Sequence, residues 1–234
     1  MSLRINKIQH ILHKGSVELM SHTCNGDLLV VNAARCSFNK EHEIFDHKTD
    51  TKLINYLAEH GHLLPFRHPV CTLRIVAPLF VLRQLGKHQV GFSWSEVSRR
   101  YIDSDPEFYY PLPDEWRERG ENIKQGSSND KLSNEDAVIV DEKVENVYRH
   151  MSEVYERLLN TGVCPEQARM ILPQAMYTTT VTTGTLLGWY HLYKLRTEEH
   201  TQQETQEFAK AIGTIMESLF PVSWKALCTN GENT

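Results

Sequence analysis

The sequence predicts an α+β fold, an antiparallel sheet with packed helices, in a single domain spanning 1–234. Three observations lead there. Candidate strands gather in the N-terminal half, helical periodicity fills the C-terminal half, and 234 residues with 40% apolar content suffice for one full-sized core.

The elements follow in order. GDLLVVNAARCSF, at 26–38, reads as a short strand running into a turn. KLINYLAEH, at 52–60, has the helical spacing Leu53, Tyr56, Leu57 and stops at Gly61. CTLRIVA, at 71–77, is β-branched and roughly alternating, hence a strand. Pro78 suits the first turn of the helix PLFVLRQLGKHQ. There Leu79, Phe80, Val81 and Leu82 face a core, while Arg83, Gln84, Lys87 and His88 share a polar stripe. Residues 103–135, rich in Pro, Gly, Ser, Asn and charge, read as a long surface loop that can also serve as a lid. An amphipathic helix covers 144–159, with Val144, Val147, Met151, Val154 and Leu158 on one side and Gly162 closing it. PEQARMIL, at 165–172, is a short helix between Pro165 and Pro173, and another helix covers 185–195. A last helix starts after Thr197, with Glu198 and Glu199 at the positive end of its dipole. Phe208, Ile212, Ile215, Met216 and Leu219 form its buried face.

Composition excludes several functions. A net charge of −5 argues against sequence-independent binding of a nucleic-acid polymer, which needs a basic surface to displace counterions. A local arginine cluster can still hold a small anion. MSLRINKIQHILHKGS contains no apolar run of signal-peptide length, and no later stretch reaches membrane-spanning length. Cys24, Cys36, Cys71, Cys164 and Cys228 are odd in number and scattered, which reads as reduced thiols. The expectation is a soluble cytoplasmic protein.

The most informative segment is KHQVGFSWSEVSRRY, at 87–101. Three serines, one carboxylate and two consecutive arginines lie just past a helix exposing Arg83, Gln84, Lys87 and His88. Arginine suits phosphate because its planar fork donates two parallel, charge-assisted hydrogen bonds. Hydroxyls and backbone amides complete an anion cradle. The alternative is a polar loop with surface arginines. His60, His62 and His68 fit no standard zinc spacing and have no cysteine pair beside them, so no metal site is expected.

Here the sequence resembles the flavin-dependent thymidylate synthases. Their signature is Arg-His-Arg, seven residues, Ser, any residue, Arg, commonly followed by Tyr. This chain has Lys87-His88-Gln89, eight residues, then Ser98-Arg99-Arg100-Tyr101. AARCSF (33–38), HGHLLPFRH (60–68 with its leading histidine), APLFVLRQ (77–84), EFYYP (107–111), ARMILP (168–173) and LRTEEHTQQETQ (195–206) resemble further family segments in the same order. The resemblance implies that Ser98, Arg100, Gln84, Arg169 and the backbone at Arg99 hold the phosphate of dUMP. It implies that Glu96 and Arg196 lie near sugar and uracil, with Arg196 stabilising negative charge on the ring. A uracil activated at C5 builds enolate-like charge, which a fixed guanidinium stabilises. His88, His62, Ser37 and Lys87 occupy positions that contact FAD in the family. Arg196 and His88 are thus the catalytic candidates.

The family takes a methylene from methylenetetrahydrofolate, reduces it through a flavin recharged by NADPH, and works as a homotetramer with shared sites. It uses no cysteine nucleophile, and Cys164 reads as a helix-start residue. The departures fall on the flavin side. Lys87 and Gln89 replace arginines, Arg67 replaces a glutamate, and Leu64 replaces a hydroxyl residue. Thr185, Leu187 and His191 stand where the family offers Asn, Arg and Asn to the flavin. Two alternatives to thymidylate synthesis follow: hydroxymethylation of dUMP, and a non-catalytic nucleotide-binding paralogue.

Overall fold

The computed structural model describes residues 8–120, 128 and 130–230. Its frame is a sheet of β1 (Ile8–Ile11), β2 (Gly15–His22), β3 (Val70–Pro78), β4 (Phe92–Glu96) and β5 (Tyr177–Thr185). Every neighbouring pair is antiparallel, in the order β1-β2-β3-β5-β4. Around it lie α1 (Gly26–Arg35), α2 (Thr49–Glu59), α3 (Leu79–Leu85), α4 (Asn134–Asn160), α5 (Pro165–Ala168), α6 (Leu186–Arg196), α7 (Gln203–Leu219) and α8 (Pro221–Asn230). The α+β class holds.

In β3 the two-residue period buries Cys71, Leu73, Ile75 and Ala77 on one face. β5 pairs along its whole length, from Val70↔Thr185 to Pro78↔Tyr177. The sequence reading assigns no strand to YTTTVTTGT, and it places the strands in the N-terminal half. The structure corrects this, because β5 is an inner strand contributed by the C-terminal half. Its threonines suit a pleat through their β-branched methyls. Their hydroxyls find partners: Thr182 Oγ1 donates to Thr180 Oγ1 at 3.2 Å, and the Thr72 and Thr183 hydroxyls lie 2.9 Å apart.

Several helices differ from expectation. α3 ends at Leu85, so Lys87 and His88 lie in the turn beyond it and not on its polar stripe, and α5 gives way to a 3-10 turn at Arg169–Ile171. The segment read as a strand at 26–38 forms α1, whose Val30 and Val31 are buried one turn beyond Gly26. Gly26 leaves room for the Phe220 ring, and Asp27 accepts from the backbone N–H groups of Val222 (3.0 Å) and Ser223 (2.9 Å), capping α8. Packing and this cap outweigh the strand preference of the valines. α4 is longer than the 144–159 prediction, starting where Ser133 Oγ accepts from Asp136 N at 3.1 Å. Its apolar side is partly covered: Ala137 and Tyr155 are buried, Val144, Met151, Val154 and Leu158 are half-buried, and Val147 is 53% exposed. α7 starts at Gln203 and not after Thr197, so Glu204 and not Glu198 or Glu199 occupies its first turn. Phe208, Ile212, Ile215 and Met216 are buried as expected, with Leu219 half-buried.

The 103–135 loop lies partly outside the described residues. Its described part is held down: Tyr109 is buried, Phe108 pairs with Met176, and Arg117 pairs with Lys131. One core joins sheet and helices around Phe66, Trp189, Phe208 and Phe220. Among the described residues no helix is long and apolar enough to cross a membrane.

Candidate functional site

The chain reverses sharply between α3 and β4. Gly91 makes that turn at φ +80°, and a Cβ there would sit 2.7 Å from Thr185 Oγ1. Its carbonyl accepts from Thr185 N at 2.9 Å, which fixes the start of α6 beside the turn. The turn and β4 thereby form one wall of a cleft of about 1280 Å³. Leu79, Leu82 and Arg83 of α3, Lys87 and Gln89 of the turn, and Trp94 and Glu96 of β4 line it. Val97 and Arg99 continue that wall, and Cys164, Glu166, Arg169 and Met170 supply the opposite part of the lining sequence. Thr180 of β5 reaches it from the sheet.

Four cations (Arg83, Lys87, Arg99, Arg169) face two carboxylates (Glu96, Glu166) in this lining. Crowding by the surrounding protein raises the Glu96 pKa, while Arg83 and Arg169 pull it down. The Arg99 guanidinium is held by the carbonyl oxygens of Ser104 and Asp105. The excess of cations suits a small anion.

The structure thus brings Glu96, Arg99 and Arg169, expected at the nucleotide, together with Lys87, expected at the flavin. The side chains of Ser98, Arg100, Gln84 and Arg196 are not part of this lining in the single chain. Ser98 Oγ accepts from Arg100 N at 3.3 Å, and the Arg100 guanidinium donates to Tyr101 Oη at 3.1 Å while lying 5.2 Å from the ring centroid. Gln84 Nε2 donates to Gln202 Oε1 at 2.6 Å.

Arg196, at the end of α6, donates from Nε to His88 Nε2 at 3.2 Å. The His88 carbonyl in turn accepts from Trp94 Nε1 at 3.1 Å, tying this pair to the cleft wall. Burial lowers the His88 pKa to about 4, helped by Arg196 and His191. His191 is shifted down as well, by burial and then by Lys194 and Arg67. Arg67, Lys194 and Arg196 therefore give the neighbourhood of these two neutral imidazoles its positive charge. Of the remaining expected residues, Thr185 caps α6 by accepting from Gly188 N at 3.0 Å. Ser37 sits exposed in a 3-10 turn after α1, beside Phe38. His62 is exposed, with its ring edge-on to Tyr56 at 5.9 Å. Among the described residues no group of three or more His, Cys, Asp or Glu is arranged to hold a metal ion.

Comparison with known proteins decides the lineage. The family model described as Thymidylate synthase complementing protein matches residues 18–222. The flavin-dependent thymidylate synthase of Kosmotoga olearia is 36% identical over 219 residues, covering 92% of this chain and 91% of that protein. The chain belongs to the flavin-dependent thymidylate synthase family. The synthase of Pseudothermotoga lettingae is 33% identical, with 92% and 91% covered. A solved family-like structure, a UMP/dUMP methylase PolB from Streptomyces cacaoi bound with 5-Br dUMP, superposes with a TM-score of 0.83. It is 30% identical and covers 95% of this chain and 98% of that one. The same methylase bound with 5-Br UMP gives 0.81 at 29% identity.

Some of this family member's cleft residues carry no role in the sequence reading: Arg83, Gln89, Glu166 and Thr180. Arg83 and Lys87 are four residues apart, which was the available signal. For Thr180 there was none, because its strand was not recognised.

Proposed function

We propose that this enzyme transfers a one-carbon unit from methylenetetrahydrofolate to C5 of dUMP, with flavin-mediated reduction, giving dTMP. The observation that carries this reading is the cationic cleft in which Arg169 and Glu96, from distant parts of the chain, face a common space. In it Arg169 holds the phosphate with Ser98, Arg100, Gln84 and the Arg99 backbone, and Glu96 meets the sugar. Arg196 stabilises the charge that develops on the uracil as its C5–H bond gives way to a C5–carbon bond. Residues outside the single-chain cleft join it in a homotetramer with shared sites. The exposed apolar residues of α4, Val138, Ile139 and Val147, support such an assembly as a surface for another copy to cover.

The donor set around His88 fits FAD. Arg67 and Lys194 suit its diphosphate, and the uncharged imidazoles of His88 and His191 suit the neutral edge of a flavin ring. Lys87, Ser37, His62 and Thr185 complete the proposed FAD site. When bound, FAD supplies the redox chemistry, with NADPH as the source of electrons. His88 holds Arg196 in place from one side, and neither residue needs to shuttle a proton for that role. The free state of Cys24, Cys36, Cys71, Cys164 and Cys228 agrees with a cytoplasmic setting.

Hydroxymethylation of dUMP is a second reading, favoured by Lys87 and Gln89 standing in the cleft lining where the family signature has arginines. A non-catalytic paralogue would bind dUMP without turnover. Release of tritium from dUMP labelled at C5 tests the proposal, in the presence of methylenetetrahydrofolate, NADPH and FAD. Folate-dependent release is expected, and no release under any combination would remove the enzyme reading.

A further inference from the structure

Two guanidiniums of the cleft, those of Arg83 and Arg169, have no hydrogen-bond or ion-pair partner among the described residues. The other two nearby are engaged. Arg99 is bound to the Ser104 and Asp105 carbonyls, and Arg100 to the Tyr101 hydroxyl. Arg83 leaves α3 with an exposed side chain, next to Leu82 and Gly86 in the same lining. Both it and Arg169 lie close enough to Glu96 to act on that carboxylate, so the two share one region of the cleft.

We propose that Arg83 is a second phosphate-binding guanidinium, working with Arg169 on the monophosphate of the nucleotide. This rests on the dUMP reading above and adds a residue to it. A phosphate monoester carries close to two negative charges and three acceptor oxygens at neutral pH. Arg169 alone matches one of those charges, and one fork covers at most two oxygens. Arg83 supplies the second charge and a second fork. It adds to the Ser98, Arg100 and Gln84 contacts proposed above, from within the single-chain cleft.

Calorimetric titration of the full-length wild type, Arg83→Ala and Arg83→Lys with dUMP, deoxyuridine and inorganic phosphate tests this. Arg83→Ala should weaken dUMP about 10- to 100-fold, the range for losing a hydrogen bond to a charged group, while leaving deoxyuridine unchanged. Arg83→Lys should restore part of the loss, keeping the charge without the fork. Because Arg83 is exposed, neither variant disturbs the core. Unchanged dUMP affinity in Arg83→Ala overturns the proposal, as does an equal loss for dUMP and deoxyuridine. A wild type that ignores dUMP overturns the dUMP reading. Inorganic phosphate then decides Arg83 separately: weaker binding in Arg83→Ala supports it, equal binding overturns it. A wild type that binds neither ligand removes both.

Discussion

The hydrogen bond from Arg196 Nε to His88 Nε2, 3.2 Å long, requires an unprotonated acceptor and so leaves the imidazole proton on Nδ1. His88 can then donate from Nδ1 while its other nitrogen steadies Arg196. The pair joins the end of α6 to the turn before β4, and through Trp94 to the cleft wall.

This relationship has a pH signature. The His88 pKa is lowered to about 4, chiefly by burial, whereas an unfolded histidine titrates near about 6.5. Between these values the unfolded chain binds a proton that the folded chain does not. Stability is therefore fully present above about 6.5 and falls as pH drops toward about 4. Urea midpoints taken across that interval should show the slope in the wild type and a smaller one in His88→Gln. Equal slopes would mean that His88 is not the titrating group.

Arg196→Ala should lower kcat by about 100- to 1000-fold, the usual effect of losing one preorganised donor at a developing negative charge. Affinity for dUMP should change little, because the phosphate is held elsewhere. Steady-state kinetics with a parallel binding titration separate the two. A change confined to KM would count against the assigned role.

Arg169→Ala should weaken dUMP binding by about 1.5–3 kcal/mol. Its guanidinium lines the cleft but supports no other described residue by hydrogen bond, so the thermal midpoint should stay near that of the wild type. Calorimetry that finds wild-type affinity would remove Arg169 from the phosphate site.

Much of this was legible beforehand, for identifiable reasons. β3 and the buried face of α7 follow apolar periodicity closely, so spacing alone located them. α2 was found where expected, but it buries Ile54, Leu57 and Ala58 while Tyr56, read as part of its apolar spacing, is exposed. β5 was hidden because three of its buried positions, Thr178, Thr180 and Thr182, are threonines, which read as polar until contacts such as Thr182 Oγ1 to Thr180 Oγ1 within the strand satisfy their hydroxyls. α1 was misread because Val30 and Val31 favour strands locally, while their helical state is set by Phe220 and by the Asp27 contact with α8, both distant in sequence. At the site, Glu96, Arg99 and Arg169 were named from ordered motifs. Arg83 looked like an ordinary member of a solvated stripe, and only the cleft shows what it faces.

A separate prediction concerns the scaffold beside Ser37. Asp50 is fully buried and bound to Arg35 Nη1 at 2.8 Å, to His42 Nδ1 at 3.3 Å and to the Asp46 amide at 2.8 Å. Removing the carboxylate in Asp50→Ala leaves the partly buried Arg35 without its counter-charge, which should cost about 3–5 kcal/mol of stability. Chemical denaturation measures this directly. A loss below about 1 kcal/mol, the range of exposed ion pairs, would show that the cluster behaves as a surface contact.

The most direct test of the central claim is the mass of the nucleotide formed from dUMP with methylenetetrahydrofolate, NADPH and FAD. A methyl increment that disappears when FAD is withheld is the predicted result. A hydroxymethyl increment, or unchanged dUMP, would contradict thymidylate synthesis by this chain.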